Sequence, residues 1–138
     1  MLVAVSLVAC RETPPPAEAP PQASPDQSSP GRDPWAAARA RGIEFRAVGQ
    51  EPGWYLEIDS GKSIHVVYDY GEREATMPVP PPVSSGDIIT YEAATDARRL
   101  RVVIEKRPCS DIMSGLPFPS TVTVTIDGNT YRGCGQDL

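Results

Sequence analysis

The sequence predicts an all-β domain, a small antiparallel barrel or sandwich of about eight strands, preceded by a proline-rich linker and a short N-terminal helix. Three observations predict it. After Gly42 the apolar residues alternate with polar ones, as in Trp54, Leu56 and Ile58 or Val122, Val124 and Ile126. Turn residues break that alternation at short intervals, most distinctly at Asp127-Gly128. No later window sustains a helical period.

At 138 residues and 14.9 kDa the chain has room for one compact domain and little more. A net charge of -5 and a pI near 4.8 argue against a general nucleic-acid partner, because neutralising phosphates takes a basic face. Arg98, Arg99 and Arg101 cluster on a predicted strand and read as a solvated face. The expected division is residues 1–9, an apolar leader; 10–34, a linker that opens on Cys10; and 35–138, the globular β domain.

The nine-residue run Met1 to Ala9 ends in Leu7-Val8-Ala9 just before Cys10 and resembles a bacterial lipobox. The resemblance implies cleavage before Cys10, a diacylglycerol on its sulfur and an anchor on the periplasmic face of the cell envelope, since dual acylation holds a protein stably to a membrane. No Lys or Arg precedes the run, so this reading expects a start further upstream or a degenerate signal. The run is too short to span a bilayer, which takes about 20 apolar residues. Arg11 follows the cysteine where inner-membrane retention would favour aspartate, which points to the outer membrane.

From Arg11 to Pro34 the apolar side chains besides proline are Ala17, Ala19 and Ala23. Such a segment buries too little to offset its ordering entropy and is expected as an extended, partly polyproline-II tether. A short helix is expected next, with Asp33 as N-cap, Pro34 in the first turn, Gly42 as the stop, and Trp35 packing it onto the domain.

The predicted strands are 43–48, 54–58, 63–70, 73–77, 88–93, 98–107, 121–126 and 130–134. Their core candidates are Trp54, Leu56 and Ile58; Ile64, Val66 and Tyr68; Leu100, Val102 and Ile104; and Val122, Val124 and Ile126, joined by Tyr131. A loop of Asp59, Ser60 and Gly61 would set Leu56 opposite Ile64 and Trp54 opposite Val66 and keep both apolar faces together. Asp127-Gly128 predicts a type I′ turn pairing Ile126 with Asn129 and Val124 with Tyr131. Pro78 to Asp87 is expected as a long exposed loop, with Val79 and Val83 at its tip.

The stretch Phe45 to Ile58, with its E-P-x-W at Glu51 to Trp54, the segment Val66 to Arg73, the C-x-D-x-M-S of Cys109 to Ser114 and the G-C-G of Gly133 to Gly135 resemble a family of uncharacterised small proteobacterial lipoproteins and membrane proteins. The resemblance implies an envelope location and carries no activity. A looser similarity links E-P-x-W to the META domain of the heat-shock protein HslJ. Lipidation plus a C-terminal disulfide likewise resembles membrane-bound C-type lysozyme inhibitors, whose S-G-x-x-Y loop is replaced here by Ser114-Gly115-Leu116-Pro117-Phe118.

The expected function is therefore a non-enzymatic envelope binding module without a cofactor; the alternative is an inhibitor of a peptidoglycan-cleaving enzyme. Its partners would be the membrane, through the lipid, and an envelope protein or peptidoglycan-related molecule. A single histidine, His65, on a strand's polar face supports neither a metal site nor a triad. Cys109 and Cys134 read as a structural disulfide; a metal or redox pair is the other reading, without a C-x-x-C motif in the sequence to favour it. The candidate binding residues are Glu51, Trp54, Arg107, Asp111, Met113 and Ser114, gathered at one rim, with Arg107 pairing Asp111 or Glu51. The other reading of Asp111 and Ser114 is that they hydrogen-bond their own loop's backbone.

Overall fold

The computed structural model describes residues 33–138. The predicted signal peptide, Cys10 and all of the linker but its end lie outside the described residues. Helix α1 (Pro34–Ala40) begins as the sequence dictates: Asp33 Oδ1 accepts from the Trp35 N–H at 2.8 Å and Pro34 takes the first turn.

The strands that follow are β1 (Phe45–Gly49), β2 (Trp54–Asp59), β3 (Ser63–Tyr68), β4 (Arg73–Pro78), β5 (Val83–Ser85), β6 (Ile88–Ala94), β7 (Arg99–Glu105), β8 (Cys109–Ser110), β9 (Pro117–Phe118), β10 (Ser120–Ile126) and β11 (Asn129–Asp137). Nine form one antiparallel sheet in the order β4-β3-β2-β1-β11-β10-β7-β6-β5, curled into a half-barrel that brings β4 back towards β6. The hairpin β8-β9 stands apart from it.

Period-two alternation delivers the expected core to the concave face. Leu56, Ile58, Ile64, Val66, Leu100, Val102, Ile104, Val122, Val124 and Ile126 are each no more than 3% exposed. Burying each such side chain stabilises the fold by about 1.5–3 kcal/mol. Tyr68 and Tyr131 meet edge to face at 5.7 Å within this core, and their hydroxyls reach outward, Tyr131 donating to Asp69 at 2.7 Å. Burial first, then that bond and the carboxylate's charge, push the Tyr131 phenol up to about 12.

The Asp127-Gly128 turn is as predicted, with φ 48 and 86 and the pairs Ile126↔Asn129 and Val124↔Tyr131. The β2–β3 connection keeps the expected odd length but differs in register. Ile58 pairs with Ile64 and Leu56 with Val66, and the loop is Ser60 to Lys62. Shifting by two preserves the faces, and it adds the pair Asp59↔Ser63 to the ladder. Gly61 then takes the one positive φ of a turn closed by the Lys62 N–H on the Asp59 carbonyl.

Other boundaries move for local reasons. β3 stops at Tyr68 because Asp69 and Tyr70 turn out of the ladder at φ 52 and 58. β7 stops at Glu105, whose carbonyl accepts the Arg107 N–H at 2.7 Å just before Pro108. β11 runs on to Asp137 because β1 goes on pairing with it, through Arg46↔Gln136 and Phe45↔Asp137, after β10 has ended at Ser120↔Gly135. The segment from Pro78 to Asp87 is exposed over most of its length, with Val83 69% exposed as expected, but it is not all loop: Val79 packs on the core, and Val83–Ser85 form β5, paired with β6 through Ser85↔Ile88. Pro78 itself closes β4, an edge strand, where its missing N–H costs no ladder bond.

The outer face of β1, β2 and β11 carries a second, smaller packing layer. Arg46, Glu57 and Cys134 point away from the main core yet are buried, because α1 and the β8-β9 hairpin lie over them. The Trp35 ring sits 5.2 Å from Phe118, and Arg46 is held between Trp35 and Tyr55 at 5.5 and 4.6 Å.

Candidate functional site

The rim is built where β1 hands over to β2. Gly49 pairs with Trp54, and Gln50 to Gly53 make the turn between them. Trp54 is buried as the plug of the barrel's end, its indole N–H donating to the Arg132 carbonyl at 3.3 Å. Glu51 stands exposed at φ 52. Its Oε2 accepts from the Tyr70 hydroxyl at 2.8 Å, which raises the phenol's pKa above its ordinary value.

The second wall is the segment between β8 and β9. The Cys109–Cys134 disulfide, with Cα atoms 5.5 Å apart, fixes its root to β11. Asp111 is buried and turned inward. It accepts from the Ser114 N–H at 2.8 Å and the Ser114 hydroxyl at 2.7 Å, while its carbonyl takes the Gly115 N–H. The Ser114 N–H, then the hydroxyl, hold the Asp111 carboxyl below its ordinary range; burial acts the other way and is outweighed.

Gln50 joins the two walls, its Nε2 donating to Asp111 Oδ1 at 3.3 Å. Glu51, Trp54, Asp111, Met113 and Ser114 thus lie at one end of the molecule, with a cleft of about 410 Å³ between Gln50, Glu51, Pro52, Trp54, Tyr131 and Arg132. Asp111 and Ser114 do serve their own loop, and in doing so shape its tip. Ile112, Met113 and Leu116 project into solvent, 77%, 70% and 58% exposed.

Arg107 does not join this group as expected. Its guanidinium pairs with Glu105 at 3.3 Å and is largely exposed, because the bend before Pro108 turns it back along β7. His65 lies on the outer face, its Nε2 3.3 Å from Glu74 Oε2. Of the arginine cluster, Arg98 donates to the Tyr68 hydroxyl at 2.7 Å and Arg101 pairs with Glu92 at 3.0 Å.

Sequence reasoning missed Gln50 and Tyr70, although both flank recognised elements. It also missed the charge cluster beneath α1. There Glu57 accepts from Arg41 through both oxygens at 2.7 Å and from the buried Arg46. Arg46 Nε has no hydrogen-bond partner, and its aromatic neighbours supply compensation instead.

A larger cleft of about 530 Å³ lies away from the rim, over Glu92, Ala93, Leu100, Arg101 and Thr125. Of its charged side chains, Arg101 and Glu92 pair with each other, and Arg99 lines the cleft beside them. Among the described residues no His, Cys, Asp and Glu cluster of metal-binding size is present, and no helix is long and apolar enough to cross a membrane. No family model, curated protein or solved structure matches the chain.

Proposed function

We propose that the protein is a lipid-anchored binding module of the cell envelope, non-enzymatic, held through Cys10 and making contact through the rim of Gln50, Glu51, Tyr70 and the Asp111–Leu116 tip. One observation carries this reading. Three large apolar side chains are held out in water on a turn whose polar groups are satisfied from within. Exposed apolar residues scattered singly are ordinary, whereas three on one braced loop mark a contact surface.

The disulfide supports the envelope assignment, because such bridges persist in oxidising compartments. The lipobox at Leu7 to Cys10 supplies the anchor in this reading, and the proline-rich residues up to Pro34 supply reach. Radioactive palmitate fed to Gram-negative cells expressing the chain tests the anchor. The wild type should take up label and Cys10→Ala should not; an unlabelled wild type would remove the reading.

A further inference from the structure

We infer that the occupant of the apolar tip is the phospholipid bilayer itself, into whose headgroup boundary Ile112, Met113 and Leu116 insert. This rests on the contact surface proposed above and names its partner. The tip has the chemistry for it. From Ile112 to Ile126 the chain carries no charged side chain, and the nearest acid, Asp111, is folded inward onto Ser114 and Gln50. Inserting the tip therefore desolvates no charge and no unsatisfied carboxylate. On the rim's other wall Tyr70 is 68% exposed, an amphipathic ring of the kind that settles at headgroup level, where the Glu51 carboxylate that its hydroxyl meets stays in water.

The place where the chain enters the domain points the same way. Trp35 lies against Phe118, so the tether reaches the domain at the root of the loop that carries the tip. A tether this rich in proline extends by about 3.1 Å per residue, so the residues from Cys10 to Pro34 reach at most about 75 Å, which keeps the loop near any membrane that holds Cys10. At that range a contact too weak to act alone operates at an effective concentration of about millimolar.

A protein partner fits less well. A stable protein interface takes roughly 20–30 residues a side with matched shape. A bilayer demands no shape complementarity, and three apolar side chains on a firm turn suffice to add to an existing anchor.

The test separates loop from lipid. The full chain carrying Cys10→Ala is sedimented with vesicles of phosphatidylethanolamine and phosphatidylglycerol, and compared with the same chain carrying Ile112→Ser, Met113→Ser and Leu116→Ser. Residues 1–9 are present in both and cancel. The intact loop should partition at least about tenfold more strongly. Mass measurement of the Cys109–Cys134 bridge and the far-ultraviolet spectrum confirm that the serine chain is folded. Equal partition of the two chains, or an intact loop left in the supernatant at millimolar lipid, overturns the inference. A vesicle difference without palmitate labelling would remove the anchor and sustain the docking; labelling without a vesicle difference would do the reverse.

Discussion

Replacing Cys109 and Cys134 together by alanine should cost about 3.5 kcal/mol of stability. The bridge joins residues 25 apart, and closing a loop of that length removes about 12 cal/mol/K from the denatured chain in the chain-entropy description. The folded side of the balance should change little. Residue 134 keeps its ladder partners Val48 and Thr121, and the Asp111–Ser114 bonds do not pass through sulfur. Urea unfolding followed by circular dichroism is the assay. With a slope of about 1–2 kcal/mol/M the midpoint should fall by about 2–3.5 M, and the melting temperature by about 15–30 °C. The starting spectrum should be retained. A loss below about 1 kcal/mol at unchanged slope would refute the cross-link argument. A spectrum without strand signal would refute the claim that the ladder stands without the bridge.

Two further perturbations probe the outer layer and the rim. Glu57→Gln leaves Arg46 buried beneath α1 without its counter-charge and should cost about 3 kcal/mol, with Arg41, half exposed, contributing the smaller share. Because the pair is buried, the loss in urea midpoint should be nearly the same at low and high salt; a loss that disappears in salt would place the cluster at the surface. Asp111→Asn should cost about 1–3 kcal/mol at neutral pH by weakening the bonds to Ser114. The Asp111 carboxyl is depressed in the folded state, so its contribution is complete above the unfolded carboxylate value and fades as pH falls through the lower folded one. Stability of the variant should therefore fall less steeply than wild type as pH drops below about 4; parallel slopes would contradict the inward-facing carboxylate.

The sheet was legible because its signals are local. Alternation placed Leu56, Val66, Val102 and Val124 on one face, and Asp127-Gly128 set the register of the final hairpin by turn chemistry alone. The turn at Gly61 was less legible, since a shift of two residues leaves every face unchanged and only the extra Asp59↔Ser63 pair decides it. β5 was hidden by the prolines before it, which mask three residues able to pair with β6.

The rim was half legible. Motif residues located Glu51, Trp54, Asp111 and Ser114, while Arg107 was misplaced because Pro108 announces a break but not the way the side chain before it turns. Gln50, Tyr70 and the Glu57 cluster were invisible because their partners lie far along the chain, at Asp111, Glu51, Arg41 and Arg46. A polar residue on a strand's outer face normally reads as solvated; only the helix laid over it makes Glu57 buried.

On the proposed function the stapled tip meets the envelope, and Met113 reports on that contact directly. Met77 is buried in the core, whereas Met113 stands 70% exposed at the tip, so dilute peroxide should convert Met113 to sulfoxide first in the detergent-released protein. The same treatment of intact envelopes, followed by peptide mass analysis, measures whether the tip is covered. Oxidation of Met113 slowed at least about fivefold in the envelope relative to detergent is the predicted result. Equal rates in the two states would contradict the account.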